Sequence, residues 1–357
     1  MRITPLRSFE EFRDLVAAYR LPRIVLTALE LDLFTVIGEQ SWAVPALAKK
    51  LRVSARGLDI LCRNLASAGI LIKNGDRYRN GKVAASTLNA RSLNYRGGYI
   101  HLIRDQWNDW GKLTASVRFG RPLEHNDDPD DSKYRKQFTW AMHHRSIDVA
   151  PQVAAGIDLS NVQTLLDLGG GPGTYALEFL KRNSTLCATV ADRAPALEVA
   201  KEIAAKLRHG RRLSYLPLDF TAQAITGRYD VIWFSNVLHI YSPEENRRLF
   251  RNMADALEPN GRLLIQDAFL LDKNGLYPQE ANLFAVTMLL FTEGGNTYSV
   301  DDTAAWLREA GFRKVRRVTL PTGTGDWEGG VLEATDVRPH QGSRVRRSRS
   351  TENSAGR

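Results

Sequence analysis

The sequence predicts an α/β fold in which a mostly helical N-terminal module precedes a doubly wound parallel sheet. The apolar stretch 165–168 runs into the segment 169–173, which is glycine at four of its five positions. The segment 174–182 that follows has apolar residues at helical spacing. Further apolar stretches of strand length alternate downstream with helical segments, which is typical of βαβ units. The first hundred residues instead combine three helical segments with one hairpin.

The N-terminal module has the pattern of a winged helix. A strand, an Asn-Gly-Asp turn and a return strand over 69–78 follow three helical segments, which span 25–37, 44–51 and 56–68. Ser54 is the expected N-cap of the third helix. Winged helices often bind DNA, but this helix has no basic stripe. We therefore expect residues 1–100 to contact protein and not nucleic acid.

The spacing of the glycines distinguishes between nucleotide-type cofactors. Gly169, Gly171 and Gly173 follow the pattern G-x-G-x-G, and Thr174 stands where the dinucleotide fingerprint has its third glycine. Asp167, in the strand before the loop, suits a cofactor that carries an amino group. S-adenosylmethionine (SAM) has such a group and NAD does not. The loop therefore favours SAM, although any doubly wound protein can carry a glycine-rich turn here.

Two later strands end in acidic residues that suit the rest of such a cofactor. Asp192 ends the predicted strand 186–191 and stands 21 positions after Gly171, where an acidic residue can accept both ribose hydroxyls. Asp219 and Phe220 end the strand 213–218, and a carboxylate beside a ring fits an adenine. The alternatives are that the acids cap helices and that Phe220 lies in the core.

A histidine and an aspartate follow the next two predicted strands. His239 lies beyond strand 229–234, and strand 261–265 leads to Asp267. Open α/β sheets bind ligands at this rim, and the ordinary pKa of histidine lies near neutrality. His239 is therefore a candidate general base that Asp267 would orient. The alternatives are a structural histidine and a turn-forming aspartate.

Composition and charge limit the remaining possibilities. The chain has 357 residues and a net charge of +9, of which +5 lies in the Ser, Gly and Arg-rich stretch 338–357. We expect residues 336–357 to form a disordered basic tail. Two cysteines and the absence of a signal peptide or long apolar run favour a soluble cytoplasmic protein without a membrane partner. His143 and His144 are adjacent, so their side chains diverge on a helix; we expect them at the pocket entrance or in solvent, and we expect no metal site.

From about residue 21 to 337 the chain resembles SAM-dependent O-methyltransferases of the class that includes caffeic acid, acetylserotonin, and bacterial polyketide and carotenoid enzymes. The resemblance rests on residues 167–173, Asp192, Asp219-Phe220, Val237-Leu-His239, 261–267 and Gly294-Gly295. The resemblance implies a class I methyltransferase domain over 101–335, with a Rossmann-like seven-stranded sheet closed by an antiparallel hairpin. It also implies SAM as cofactor and a homodimer formed through residues 1–100.

The resemblance also implies roles for individual residues. His239 would be the general base and Asp267 its first acidic neighbour. The residues expected to bind the cofactor are Ser146, Asp167, Gly169, Gly171, Asp192, Asp219, Phe220 and Ser235. The residues expected to contact the substrate are Phe138, Met142 and Met288. Three positions differ from the pattern of the plant enzymes. Ser235 stands where a lysine is frequent, Ile240-Tyr241 stands where Asp-Trp is usual, and Thr297 stands near the position at which a second acid would flank the base.

These observations predict methyl transfer from SAM to a hydroxyl of an apolar or aromatic small molecule of specialised metabolism. One alternative is transfer to carbon or nitrogen, or a non-methylating use of SAM in decarboxylation or hydroxylation. A regulator that binds DNA through the winged helix is the other.

Overall fold

The computed structural model describes residues 5–123, 131–205, 212–320 and 330–337. The N-terminal part contains five helices and a small antiparallel sheet with strand order β1-β3-β2. The helices are α1 Phe9–Ala17, α2 Arg20–Glu30, α3 Leu33–Ile37, α4 Val44–Leu51 and α5 Ala55–Ser67. The strands are β1 Trp42–Ala43, β2 Leu71–Asn74 and β3 Arg77–Asn80. Ser54 caps α5 as expected, because its hydroxyl accepts the Gly57 N–H.

The predicted single helix over 25–37 was wrong in one respect, because the structure has two helices there. The break falls between Glu30 and Leu33, where Asp32 has a left-handed backbone with φ 53°. Aspartate tolerates this conformation better than most residues, so the chain turns without a glycine. The apolar periodicity continues across the break, and it therefore could not reveal it.

A group of helices connects the two parts of the chain. They are α6 Gly97–Asp105, α7 Trp107–Trp110, α8 Leu113–Phe119, α9 Ser132–Ser146 and α10 Ala150–Gly156, after a π-helical turn at Ala84–Leu88. Helix α6 packs against α9. The predicted domain boundary between residues 100 and 101 falls inside α6, and it stays a prediction.

The larger part contains a seven-stranded sheet of order β6-β5-β4-β7-β8-β10-β9. Strands β4 to β8 are parallel, and β10 runs antiparallel to both β8 and β9. The strands are β4 Thr164–Leu168, β5 Cys187–Asp192, β6 Leu213–Pro217, β7 Tyr229–Ser235, β8 Leu257–Gln266, β9 Phe312–Val318 and β10 Val331–Val337. This confirms the predicted sheet and its closing hairpin. Asp336 and Val337 of the predicted tail belong to β10, and the rest of that tail lies outside the described residues.

Helices cover both faces of this sheet. They are α11 Thr174–Arg182, α12 Ala194–Ala205, α13 Pro243–Asp255 and α15 Val300–Glu309. Helix α14 Gln279–Phe291 instead packs against α8 and the turn Leu238–Ile240. Strand β4 contributes Leu166 to the core on one face and Leu165 to the core on the other, and both are fully buried. A strand that is buried on both faces explains the nearly continuous apolar pattern of its sequence. The carboxyl ends of β4 to β8 therefore meet at one edge, where such sheets bind ligands. Within the described ranges, no helix is both long and apolar enough to cross a membrane.

Candidate active site

The glycine-rich loop lies between β4 and α11, and its backbone conformation requires glycine. Gly169 has φ 69°, and a Cβ there would lie 2.8 Å from a methyl carbon of Val237. A Cβ on Gly170 would lie 2.5 Å from the carboxyl carbon of Asp167. The loop can follow this path only without side chains at these two positions, and it places bare backbone ahead of α11.

Asp167 is the most deeply buried acid of the loop region, with 1% of its surface exposed. Its Oδ2 atom has no hydrogen-bond partner among the described residues. Burial raises the pKa of Asp167 to about 7, the charge of Asp192 adds to this, and the Ala176 N–H opposes it. A buried carboxylate oxygen without a donor is suited to bind an ammonium group, so this residue fits the amino group of SAM.

Asp192 is fixed against the same loop by two backbone groups. Its Oδ2 accepts the Gly171 N–H at 2.8 Å, and its Oδ1 accepts the Arg193 N–H at 2.7 Å. Burial raises the pKa of Asp192, and these two backbone hydrogen bonds act in the opposite direction. Each carboxylate oxygen has a second lone pair, so the fixed group can still accept two hydroxyls of a ribose.

Asp219 borders an open cleft of about 420 Å³, whose lining also includes Arg135, Arg193 and Pro217. The Thr221 hydroxyl donates to Asp219 Oδ1 at 2.6 Å and, as the largest cause, lowers the pKa of this carboxyl. The ring of the neighbouring Phe220 is almost buried and meets Phe234 and Tyr241 edge to face. The cleft is large enough for a heterocyclic base, and both predicted residues lie at it or beside it.

His239 lies in a short 3₁₀ turn, Leu238–Ile240, beyond the carboxyl end of β7. It is only 6% exposed, and its Nδ1 lies 2.8 Å from Asp267 Oδ1. The Asn246 side-chain amide donates to the carbonyl oxygens of Leu238 and Tyr241, and it thereby fixes the turn. The predicted pair is therefore in contact. Because Nδ1 is engaged, Nε2 is the ring nitrogen that can exchange a proton with a ligand.

The predicted substrate residues lie on two helices. Phe138 and Met142 are half-buried on α9, and Met288 is buried on α14. Phe284, which the sequence analysis did not identify, meets the His239 ring edge to face with 4.6 Å between ring centroids. It stands four residues before Met288, so both side chains share one face of α14. That spacing is the signal that links Phe284 to the site.

Two predicted cofactor residues lie in a polar group at the ends of β7 and β8. The Ser235 hydroxyl donates to Gln266 Oε1 at 2.8 Å and accepts from the Asn236 amide. Asn236 in turn accepts from Arg145 at 3.1 Å, and Ser146 lines a small void with these residues. The sequence analysis identified only the two serines, because the other contacts join residues distant in the sequence.

The two adjacent histidines of α9 are half-buried and therefore do not lie in solvent, whereas their expected place at the pocket entrance stays a prediction. His143 Nδ1 lies 2.9 Å from the Thr174 hydroxyl at the start of α11. His144 packs against Tyr95 and Trp140, and burial, with the nearby charge of Arg96, lowers its pKa to about 4. Across the described ranges, no three His, Cys, Asp or Glu side chains are grouped to hold a metal ion.

Comparisons with known proteins agree with this geometry. Residues 102–313 match the model of the O-methyltransferase domain, and residues 13–90 match that of the O-methyltransferase dimerisation domain. A 3-hydroxy-5-methyl-1-naphthoate 3-O-methyltransferase from Streptomyces sahachiroi is 30% identical, over 85% of this chain and 90% of its own length. The mitomycin biosynthesis 6-O-methyltransferase of Streptomyces lavendulae is also 30% identical, over 88% and 92% respectively.

Solved structures show the same fold. The mitomycin 7-O-methyltransferase MmcR is 26% identical, has a TM-score of 0.76, and the match covers 92% of this chain and 97% of that one. Human N-acetylserotonin methyltransferase, solved in complex with SAM, is 21% identical with a TM-score of 0.82 over 95% of this chain and the whole of that one.

Both relatives at 30% identity are O-methyltransferases, which supports the predicted O-methylation over transfer to carbon or nitrogen and over a non-methylating use of SAM. The predicted fold class and cofactor are confirmed as well. The chain therefore belongs to the family of SAM-dependent O-methyltransferases that carry an N-terminal dimerisation domain.

Proposed function

We propose that the protein methylates a hydroxyl group on an aromatic, largely apolar small molecule, and that His239 is the general base. The observation that carries this proposal is the buried contact between His239 Nδ1 and Asp267 Oδ1 at 2.8 Å, at the rim where the strands end. The contact orients the ring and leaves Nε2 for the substrate.

The chemistry assigned to this chain is a proton transfer. When bound, SAM supplies a methyl group on a sulfonium sulfur, and that carbon–sulfur bond breaks as the carbon–oxygen bond forms. His239 Nε2 takes the proton that the substrate hydroxyl loses. The Asp267 carboxylate stabilises the resulting imidazolium, while the buried side chain of Met288 and the half-buried ring of Phe284 keep water from the reacting oxygen. A positioned base of this kind commonly contributes about 10² to 10⁴ in rate.

The cofactor would be held along the edge formed by β4, β5, β6 and β7. Asp167 would bind its ammonium group, and Asp192 its ribose hydroxyls. Asp219 and Phe220 would bind the adenine, with the acid accepting from the exocyclic amine. The backbone of Gly169 and Gly171 would lie against the cofactor, and the two serines, Ser146 and Ser235, would complete the site. The unpartnered Oδ2 of Asp167 and the glycine cradle support this assignment.

The acceptor class is inferred from the relatives and from the pocket residues. One relative methylates a hydroxynaphthoate, by its name, and the other acts in mitomycin biosynthesis. Phe138, Met142, Met288 and Phe284 would form apolar and aromatic walls for such a ring system. A hydroxylated aromatic compound of secondary metabolism fits these walls and a histidine base.

The protein would act as a homodimer. Helix α1 has no buried residue, and it exposes large apolar side chains, among them Phe9 at 73%, Phe12 at 51% and Val16 at 58%. The second half of α1, which includes Val16, falls in the part of the chain that matches the dimerisation domain, and Phe9 and Phe12 lie just before that part. An exposed apolar helix in that position is suited to pack against a second copy. No nucleic-acid or membrane partner is proposed.

The test is to incubate the wild type with methyl-labelled SAM and a panel of hydroxynaphthoates, phenolic polyketides and hydroxylated carotenoids, and to locate the label by mass spectrometry. We expect label on an oxygen, and a loss of at least about 100-fold for His239→Gln. His101→Gln, a change on α6, is the matched control and keeps wild-type activity. Label on carbon or nitrogen, or full activity of His239→Gln, would contradict the proposal.

A further inference from the structure

The two carboxylate oxygens of Asp267 differ in their hydrogen bonds. Oδ1 accepts from His239 Nδ1 at 2.8 Å and from the Ala268 N–H at 2.7 Å. Oδ2 is buried and has no hydrogen-bond partner within the described ranges, in a residue that is 3% exposed. An unpartnered carboxylate oxygen in the interior is costly, so a donor is expected nearby.

Thr297 carries a second unpartnered polar atom in the same region. The residue is 4% exposed, and its Oγ1 likewise lacks a hydrogen-bond partner in the described part of the chain. A threonine hydroxyl can donate one hydrogen bond, and a carboxylate oxygen can only accept. The two orphaned atoms are therefore chemically complementary.

The backbone places Thr297 between the segments that carry the base and its acid. The Asn296 N–H donates to the His239 carbonyl oxygen at 2.9 Å, and the Leu270 N–H donates to the Tyr298 carbonyl oxygen at 3.0 Å. Residue 297 thus lies between the contact to the 3₁₀ turn and the contact to the chain that follows Asp267. Burial, with smaller contributions from the charges of Glu245 and Asp267, raises the pKa of Tyr298 to about 12.

We propose that Thr297 is a positioning residue: its hydroxyl donates to one buried water, that water donates to Asp267 Oδ2, and the bridge holds Asp267 and the His239 ring in place. This rests on the proposed role of His239 as the base. When both carboxylate oxygens accept hydrogen bonds, rotation of the carboxylate away from Nδ1 would break them and is therefore unfavourable. Loss of the hydroxyl leaves Oδ2 unsatisfied, and the ring loses its fixed orientation.

The test compares Thr297→Val, which keeps the shape and removes the hydroxyl, with Thr297→Ser, which keeps the hydroxyl. We expect Thr297→Val to lower kcat about tenfold while the KM for SAM stays unchanged, because only the orientation of the base is disturbed. Thr297→Ser should recover most of that loss. Thr303→Val is the matched control, since Thr303 is also buried but its hydroxyl donates to the Ser299 carbonyl oxygen at 2.9 Å.

A second measurement does not depend on methyl transfer. Proton NMR of the ligand-free protein in water detects the proton between His239 Nδ1 and Asp267, and His239→Gln identifies its resonance by removing it. We expect Thr297→Val to speed the exchange of this proton with water at least about tenfold, because the contact opens more often. Thr297→Ser and Thr303→Val should exchange like the wild type.

Wild-type exchange and wild-type kcat in Thr297→Val would overturn the proposal. If thermal unfolding shows that Thr297→Val does not fold, Thr297→Ala replaces it in the comparison with Thr297→Ser. A wild type that methylates no hydroxyl in the panel would refute the proposed function, and the NMR comparison would still decide the role of Thr297.

Discussion

Two carboxylates at opposite ends of the predicted cofactor site, Asp167 and Asp219, have opposite environments. Asp167 is buried, lacks a partner for Oδ2, and has a pKa raised to about 7. Asp219 has a side chain that is 38% exposed and accepts the hydroxyl and the backbone N–H of Thr221, which lower its pKa. Asp167 is suited to bind a positively charged group of a ligand, whereas Asp219 already accepts hydrogen bonds from the protein.

The difference shows how binding strength is distributed along the site. A buried carboxylate without an ion-pair partner destabilises the ligand-free protein. It interacts strongly with a bound cation because water is excluded. An exposed acid with local donors costs little when empty, and each contact that it makes with a ligand replaces a contact with water. We therefore expect the ammonium end to contribute more to cofactor affinity than the adenine end.

The largest expected effect is on SAM affinity in Asp167→Asn. The ammonium group loses a buried anionic partner, so the dissociation constant measured by titration calorimetry should rise at least about 100-fold. Asp230→Asn is the control, because Asp230 accepts hydrogen bonds from the backbone N–H groups of Gln163 and Thr164 and so stabilises the start of β4. It should lower stability and keep SAM affinity within about twofold. Unchanged SAM affinity in Asp167→Asn would contradict the larger contribution that we expect from the ammonium end.

The same substitution should stabilise the ligand-free protein near neutral pH. The pKa of Asp167 rises from its ordinary 3.8 to about 7 on folding, so the folded state binds more protons between these values. Stability from this group is therefore present below about pH 3.8 and is lost as pH rises through about 7. Asp167→Asn removes that loss, and thermal unfolding at pH 7.5 should show a gain of about 2 kcal/mol. A variant less stable than the wild type at pH 7.5 would show that burial of the charge is already compensated.

A smaller effect is expected for Asp219→Asn. The carboxylate is partly exposed, so loss of its charge should weaken SAM binding only about tenfold by calorimetry. Thr221→Val tests the same end, because it removes the hydroxyl that holds Asp219, and its effect should be smaller still. If Asp219→Asn weakened binding as much as Asp167→Asn, the two ends of the site would be equivalent and our interpretation wrong.

His144 gives the smallest expected effect and tests burial away from the cofactor site. Its pKa falls from 6.5 to about 4 on folding, chiefly through burial. The unfolded chain then binds more protons in this range, so stability is full above about pH 6.5 and falls as pH drops towards 4. His144→Phe should remove about 1 kcal/mol of that loss at pH 5.5, measured by urea unfolding at pH 5.5 and 7.5. An identical pH dependence in both proteins would exclude this origin.

The acids of the site could be predicted because the fold itself brings them together. Asp167, Asp192, Asp219 and Asp267 lie in or just beyond parallel strands, and the carboxyl ends of those strands meet at one edge. Strand limits were less predictable. The predicted strand 261–265 is the second half of β8, because the turn-like sequence Glu258-Pro-Asn-Gly261 lies inside that strand. The register with β7 shifts there, between the pairs Tyr229–Leu257 and Val231–Arg262, and Asn260 has φ 69°.

The contacts made by α9 and α14 could not be read from the sequence. Arg135 reaches the cleft of Asp219, and Phe284 reaches His239, through the packing of helices that are far apart in the chain. Apolar periodicity shows which face of a helix is buried, and it does not show which neighbour lies against that face. Asp32 illustrates a similar limit, since its local conformation ends a helix without any change in the pattern.

The turn that carries the base is held through main-chain atoms. Asn246 donates to the carbonyl oxygens of Leu238 and Tyr241, and the Tyr298 hydroxyl donates to the Tyr241 carbonyl oxygen at 2.6 Å. None of these bonds uses the side chain of Ile240, which is 38% exposed beside the base. Position 240 is thus free to vary in sequence while the histidine keeps its place.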